Sequence, residues 1–309
     1  MVEQRLKTGL VGAGVFAGYH AAKIHASEMT DFAGVHDRHV ERSSVLVTKY
    51  GGRVFEDLNG VLEASEAVIV ASPALSHYEI GMRVLEAGCH LLMEKPLALS
   101  ASEAMEIVEL AESKDLVLQV GHQERLVCRA LGLFDISEVP VSIEIVRAGP
   151  APQQGRAMDI SVIWDLMIHD IDLVHALVSG EVSAPNCTGR AKLGEHLDFA
   201  EAQYMVGTTQ VKAMASRIAP ERERHMTLTF EKGQIVLDFL SRQITNTTSY
   251  KVAEDLAANV PDPLGQADEM FFAACSGYGA PMVTGREAAI GVATAEMLSV
   301  LATGSAAKP

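Results

Sequence analysis

Basic charge, cysteine and long apolar runs are all scarce in this chain of 309 residues. Lys and Arg total 25 against 40 Asp and Glu, a formal net charge of −15. An extended nucleic-acid surface needs a basic face, so that function class is excluded. Any anionic ligand must instead be held by helix N-termini or by single Lys and Arg residues. The four cysteines, Cys89, Cys128, Cys187 and Cys275, show no C-x-x-C spacing. Disulfide and metal frameworks are therefore not expected, and reduced, buried thiols are. No run of about 18 apolar residues occurs, so no membrane span is expected. The start, MVEQRLKTGLVGAG, lacks a charged region followed by an apolar stretch and a cleavage site. A cytoplasmic protein without bound metal is the expectation.

What is present is ordinary globular composition, 48% hydrophobic and 21% charged, with length enough for two domains. The first 121 residues alternate strand-like and helix-like segments. Strands are expected at Leu6–Val11, Asp31–His36, Ala67–Ala71, Cys89–Met93 and Leu116–Val120. Helices are expected between them, at Val15–Ser27, Val40–Lys49, Ser76–Ala87 and Ser100–Lys114. Ser100 followed by Glu103 has capping-box spacing. This alternation implies parallel βαβ units. After Gly121 the pattern changes. Val141–Arg147 alternates as a strand, Ile163–Leu177 reads as a helix, and 199–246 reads as hairpin-joined strands. Residues Val252–Gln266 read as a Pro- and Asp-rich connector before two closing helices. The expected class is α/β, with a dinucleotide-binding domain over 1–122 and a second α/β domain over 123–309.

Gly12-Ala13-Gly14-Val15-Phe16-Ala17 follows a strand and opens a helix, the context that a dinucleotide turn needs. Gly12 permits the tight turn, Gly14 lets the backbone approach a pyrophosphate, and Ala17 allows close helix–strand packing. The helix N-terminus offers N–H groups and a positive dipole end to phosphates. Asp37, 23 residues after Gly14 at a strand end, is placed to accept from ribose hydroxyls. Its carboxylate would repel a 2′-phosphate, which favours NAD; Arg38 beside it could attract that phosphate, which keeps NADP open. The alternative is a glycine turn that binds a flavin or no nucleotide.

Two further features carry chemistry. Glu94-Lys95-Pro96 ends the apolar run Cys89–Met93. Open α/β sheets bind ligands at the carboxyl ends of their strands, where this lysine falls. Pro96 fixes a backbone angle and restricts the residue before it. In the second half, Asp165, His169 and Asp172 lie at helical spacing within a strongly apolar stretch. An imidazole beside a carboxylate can move a proton near neutral pH. A metal site built on His169, or a buried helix cap, is the competing explanation. His20 and His25 read as surface residues, and His77 as a helix cap. His122 sits just past a strand end, and Arg125 reads as a salt-bridge residue. Arg147, Arg156 and Arg217 are candidates to meet an anionic substrate.

Taken together and in order, Gly12-x-Gly14-x-x-Ala17, Ser72-Pro73 with His77, Gly88-x-His90, Glu94-Lys95-Pro96 and Asp165-x-x-x-His169-x-x-Asp172 resemble the Gfo/Idh/MocA family of oxidoreductases. Val120-Gly121-His122-Gln123-Glu124-Arg125 and Gly149-Pro150-Ala151-Pro152 are similar to its MviM-like branch. The resemblance implies a Rossmann domain followed by an α/β domain with an open, mainly antiparallel sheet that commonly forms a dimer or tetramer interface. It implies NAD(P)-dependent oxidation or reduction of a sugar-like alcohol or ketone, with a UDP-N-acetylhexosamine among the candidate substrates. The implied catalytic residues are Lys95, Asp165 and His169, with His169 oriented by Asp165. The implied cofactor contacts are Gly12, Gly14, Val15, Phe16, Asp37, Arg38, Ser72, Pro73, His77, Glu94 and Lys95. His122, Asp172 and Arg156 are the expected substrate contacts, and a cis Lys95–Pro96 bond is expected. Departures lie on the substrate side: Asp159-Ile160-Ser161-Val162 replaces a usual Gly-Gly pair, and Arg125-Leu126-Val127-Cys128 replaces Arg-Phe-Asn-Pro. A regulator that binds the cofactor without turnover, and a metal-dependent hydrolase or lyase, are the readings from other classes.

Overall fold

Short apolar strands alternating with helices build the first of two units. The computed structural model describes residues 5–151, 158–253 and 260–304. The chain divides into one unit of 1–123 with 262–289, and another of 124–261 with 290–309. The sequence reading had left 262–289 with the second half.

In the first unit the strands are β1 (Leu6–Val11), β2 (Thr30–His36), β3 (Arg53–Val54), β4 (Ala67–Val70), β5 (His90–Met93) and β6 (Leu118–Val120). They pair in parallel in the order β3-β2-β1-β4-β5-β6. Every residue of β4 is buried, as expected where helices cover both faces of a parallel sheet. The order reverses beside β1, the position at which such sheets bind nucleotides. Helices α1 (Val15–Ala26), α2 (Val40–Tyr50), α3 (Leu58–Ala64), α4 (His77–Glu86) and α5 (Ala101–Ser113) connect the strands. The Ser100 hydroxyl accepts from the Glu103 N–H at 3.2 Å, as its spacing predicts. β3 and α3 were not read from sequence. Two residues carry no period, and α3 is a two-turn helix started by Asp57, whose carboxylate accepts from the Gly60 N–H at 2.9 Å.

The returning segment completes this unit's core. Leu10, Ala17, Ala21, Ile24, Ile69 and Leu92 cluster with Phe271 and Phe272, all at most 1% exposed. Both phenylalanines belong to Pro263–Cys275, a helix that begins inside the stretch read as a connector. Asp262 caps it by accepting from the Gly265 N–H at 3.0 Å, and proline occupies the first turn. Asp-Pro was a helix start here.

After helix α6 (Glu124–Ala130), the second unit holds seven strands: β7 (Ser142–Ala148), β8 (Val182–Arg190), β9 (Phe199–Val206), β10 (Thr209–Ser216), β11 (Glu223–Phe230), β12 (Gly233–Asp238) and β13 (Gln243–Asn246). Their order is β13-β12-β11-β7-β10-β9-β8. Only β7 and β10 run parallel; the other neighbours are antiparallel. β8 and β13 were not singled out because they are edge strands with mostly exposed, polar residues. Helix α7 (Ile168–Leu177) is preceded by one π-helical turn, Ile163–Met167, which packs against β10. No described helix is long and apolar enough to cross a membrane. All four cysteines are unbridged, and Cys89, Cys128 and Cys187 are buried.

Candidate active site

The first unit contributes a turn shaped for phosphates. Gly12 has φ +99°, and a Cβ there would lie 2.6 Å from the Ala71 carbonyl oxygen, so only glycine fits. A Cβ on Gly14 would meet nothing within 4 Å, so packing does not demand that glycine. The open space lies at the start of α1, which has neither a side-chain cap nor an acidic residue in its first turn. An anion there meets the helix dipole without a competing carboxylate. These residues fit the phosphates of a dinucleotide. The half-buried Asp37 accepts from the Ala13 N–H at 2.7 Å and the His39 N–H at 2.8 Å, which fixes its carboxylate beside the turn. Arg38 is exposed.

Two loops at strand ends meet through a histidine. The Lys95–Pro96 bond is cis, as the family resemblance implied. His77 is 1% exposed, with Nδ1 2.6 Å from the Pro96 carbonyl oxygen and Nε2 3.0 Å from that of Ser72. Burial lowers its pKa, and the two carbonyls oppose that shift. His77 thus braces the Ser72-Pro73 turn against the Glu94-Lys95-Pro96 turn, where sequence had suggested a helix cap or a nucleotide contact. Ser72 and Ser76 hydroxyls meet at 2.8 Å, and Ser76 donates to the Pro73 carbonyl at 2.7 Å. Lys95 is half-buried.

Glu94 belongs to a charge cluster that sequence reasoning missed. His20, read as a surface residue, is 1% exposed. Its Nδ1 lies 2.8 Å from Asp268 Oδ2, and its Nε2 lies 3.2 Å from Glu94 Oε1. Burial alone would lower its pKa; the carboxylates of Asp268 and Glu94 outweigh it and raise the pKa to about 10. An imidazolium therefore ties the helix of the glycine turn to the Lys95 loop and to helix Pro263–Cys275. The readable signal was Asp268 itself. It shares a helix face with Phe271 and Phe272, where an uncompensated acid is costly.

In the second unit, Asp165 sits in the π turn and His169 in the first turn of α7. Such single π turns are frequent at functional sites. His169 Nδ1 lies 2.8 Å from Glu124 Oε2, a carboxylate beside it in addition to Asp165, the orienting acid expected from sequence. The other Glu124 oxygen accepts from Arg147 at 3.0 Å, and Arg147 donates twice more to Asp170 Oδ1, at 2.7 and 2.9 Å. Burial would raise the Glu124 pKa, but His169 and Arg147 hold it well below the usual carboxylate range. Burial pushes Asp170 up, against the pull of Arg147. Nothing local in sequence ties Glu124 to a histidine 45 positions away.

Several candidate substrate contacts make internal ion pairs. Asp172 is 1% exposed and bound by Arg125 through two hydrogen bonds of 2.7 and 2.8 Å. Arg125 is the salt-bridge residue expected. Arg147 is occupied by Asp170 and Glu124. Arg217 is held by Asp198 at 2.7 Å and by the Ile160 carbonyl at 2.8 Å. His122, in the first unit, is 2% exposed. Arg156 lies outside the described residues.

Comparison with known proteins matches residues 6–122 to the model of the GFO_IDH_MocA oxidoreductase family, NAD-binding Rossmann fold. The chain is 31% identical over 245 residues to the UDP-N-acetylglucosamine 3-dehydrogenase of Acidithiobacillus ferrooxidans, covering 77% of this chain and 76% of that one. A crystal structure of that dehydrogenase superposes with a TM-score of 0.87 at 26% identity, over 97% of this chain and 99% of that one. The glucose-6-phosphate 3-dehydrogenase of Bacillus subtilis is 34% identical over 119 residues, 38% of this chain and 34% of that one. The WlbA dehydrogenase of Bordetella pertussis, in complex with NADH and UDP-GlcNAcA, shares the fold with a TM-score of 0.86 at 18% identity, over 98% of this chain and 97% of that one.

Proposed function

This chain belongs to the Gfo/Idh/MocA family of oxidoreductases, and we propose that it transfers a hydride between nicotinamide and a secondary alcohol or ketone of a nucleotide sugar. A UDP-N-acetylhexosamine is the substrate we favour, because relatives with that substrate in their names match both sequence and fold.

The observation that carries the reading is the Glu124–His169 pair. A half-buried carboxylate accepting from Nδ1 fixes the tautomer and orientation of the ring, which then exchanges a proton through its other nitrogen. We assign His169 as the acid/base for the carbinol proton and Glu124 as its positioning residue. Lys95 is assigned to stabilise negative charge developing on a substrate oxygen, and Asp165 to assist His169 from the preceding turn. Gly12, Gly14, Val15, Phe16 and Asp37 would hold NAD. The nicotinamide, when bound, accepts or supplies the hydride. The Asp37 carboxylate disfavours a 2′-phosphate, so NAD is preferred over NADP. The same reading carries a cytoplasmic homodimer or homotetramer formed through the outer face of the seven-stranded sheet. On that face Val146 and Met214 pair directly and stay half-buried.

The test is NAD reduction at 340 nm with UDP-N-acetylglucosamine, inositol and glucose as substrates. Lys95→Ala and His169→Ala should each lower turnover by about 100-fold or more while NAD binding stays within about threefold. Unchanged turnover in either variant overturns the assignment.

A further inference from the structure

Arg222 and Arg224 occupy an unusual place in the second unit. Arg224 lies opposite Arg147 in the β7/β11 register. The next inward positions of β11, Met226 and Leu228, pair with Ile145 and Ile143 and are buried. Alternation therefore puts Arg224 on the core-facing side of the sheet, at its end, and turns Glu223 the other way. Arg222 follows the same side: a Cβ on Gly149, just past β7, would touch its Cγ at 3.4 Å. Both arginines are exposed, and neither guanidinium has a hydrogen bond or ion pair with a described residue.

Arg147 and Arg224 feel the same two carboxylates, Glu124 and Asp170, but only Arg147 hydrogen-bonds them. Its guanidinium is satisfied by Asp170 and Glu124. Like charges directly opposite on paired strands destabilise a sheet; Arg147, Arg222 and Arg224 are three guanidinium groups against the two carboxylates Glu124 and Asp170, which leaves room for a further anion. In a chain of net charge −15, two guanidinium groups on one face without a hydrogen bond to a described residue form a local positive site. That site is close to the proposed chemistry in contact terms. Arg147 reaches Glu124 at 3.0 Å, and Glu124 reaches His169 at 2.8 Å.

We propose that Arg222 and Arg224 bind a phosphate oxyanion carried by the sugar substrate, and so select phosphorylated over neutral sugars. The inference rests on the reading of the chain as a sugar-derivative dehydrogenase. The guanidinium fork suits phosphate oxygens bidentately, which a lysine would not match. A nucleoside diphosphate sugar and a sugar monophosphate both present this chemistry.

Two measurements test it. The first is calorimetric titration with uridine diphosphate, which needs no turnover. The Arg222→Gln/Arg224→Gln double variant should bind it at least tenfold more weakly than the wild type. Equal affinity, or no binding to the wild type, overturns the proposal. The second is steady-state kinetics with UDP-N-acetylglucosamine, glucose 6-phosphate and glucose. The double variant should raise KM at least tenfold for whichever phosphorylated sugar is used, and less than threefold for glucose. An equal rise for all three, or none, refutes the proposal. Turnover of no sugar alongside uridine diphosphate binding that the double variant loses would sink the dehydrogenase reading and leave the anion site standing.

Discussion

Replacing His20 with glutamine removes the positive charge between two buried carboxylates, Glu94 and Asp268, while keeping an amide that can donate to one of them. The wild-type imidazole has a pKa of 6.5 when unfolded and about 10 when folded. The folded state thus binds the proton more tightly. Its stabilisation is fully present below about pH 6.5 and is lost as the pH rises through 10. Between those limits each pH unit weakens folding by about 1.4 kcal/mol. From pH 7 to pH 9 the stability advantage of the wild type over the variant should therefore fall by about 3 kcal/mol. Groups remote from His20 cancel in the difference; Asp268 and Glu94 are coupled to it and do not. Urea unfolding at pH 7, 8 and 9, read by pulsed hydrogen exchange on peptides covering β1 and β4, reports on this unit alone. A His20 ring titrating near 6.5 by NMR would refute the buried imidazolium; parallel pH profiles would mean that Asp268, relieved of His20, takes up the proton in the variant.

Other outcomes follow from the same geometry. Glu124→Gln should cut turnover by about 10- to 1000-fold and move the pH–rate profile, while NAD affinity is unchanged; a profile identical to the wild type excludes a positioning role for Glu124. Gly14→Ala should fold with a stability change within about 1 kcal/mol, because its Cβ meets nothing within 4 Å, yet weaken NAD binding at least tenfold by calorimetry. Gly12→Ala, at φ +99° and 2.6 Å from a carbonyl oxygen, should instead lose stability by about 2 kcal/mol or more in thermal unfolding, and a near-wild-type melting temperature would contradict the strain.

The parallel unit was largely legible in sequence because its strands are continuous apolar runs punctuated by glycine and by a capping serine. Gly12 and Ser100 announced their geometry locally. The edge strands β8 and β13 were not legible, since a strand exposed on most sides loses the alternation that identifies it. The candidate site divides the same way. Residues inside compact motifs, Gly14, Lys95 and His169, could be picked out by spacing. Their supports could not, because they act across long separations: Glu124 reaches His169, Asp268 reaches His20, and Arg125 holds Asp172. A carboxylate within an apolar helical face, as at Asp268 and Asp172, was the available sign of a hidden partner. It pointed to the need for one without naming it.

The return of 262–289 to the first unit has a consequence for how the protein is made. A ribosome releases residues 1–122 long before Asp268, Phe271 and Phe272 exist. At typical elongation rates the delay is on the order of ten seconds. During it His20 lacks one of its two carboxylates, and the face of α1 that receives the phenylalanines stays uncovered. The nucleotide-binding unit thus cannot close until residues 262–289 have been made, and a fragment cut at residue 122 would lack both the counter-charge and the aromatic seal.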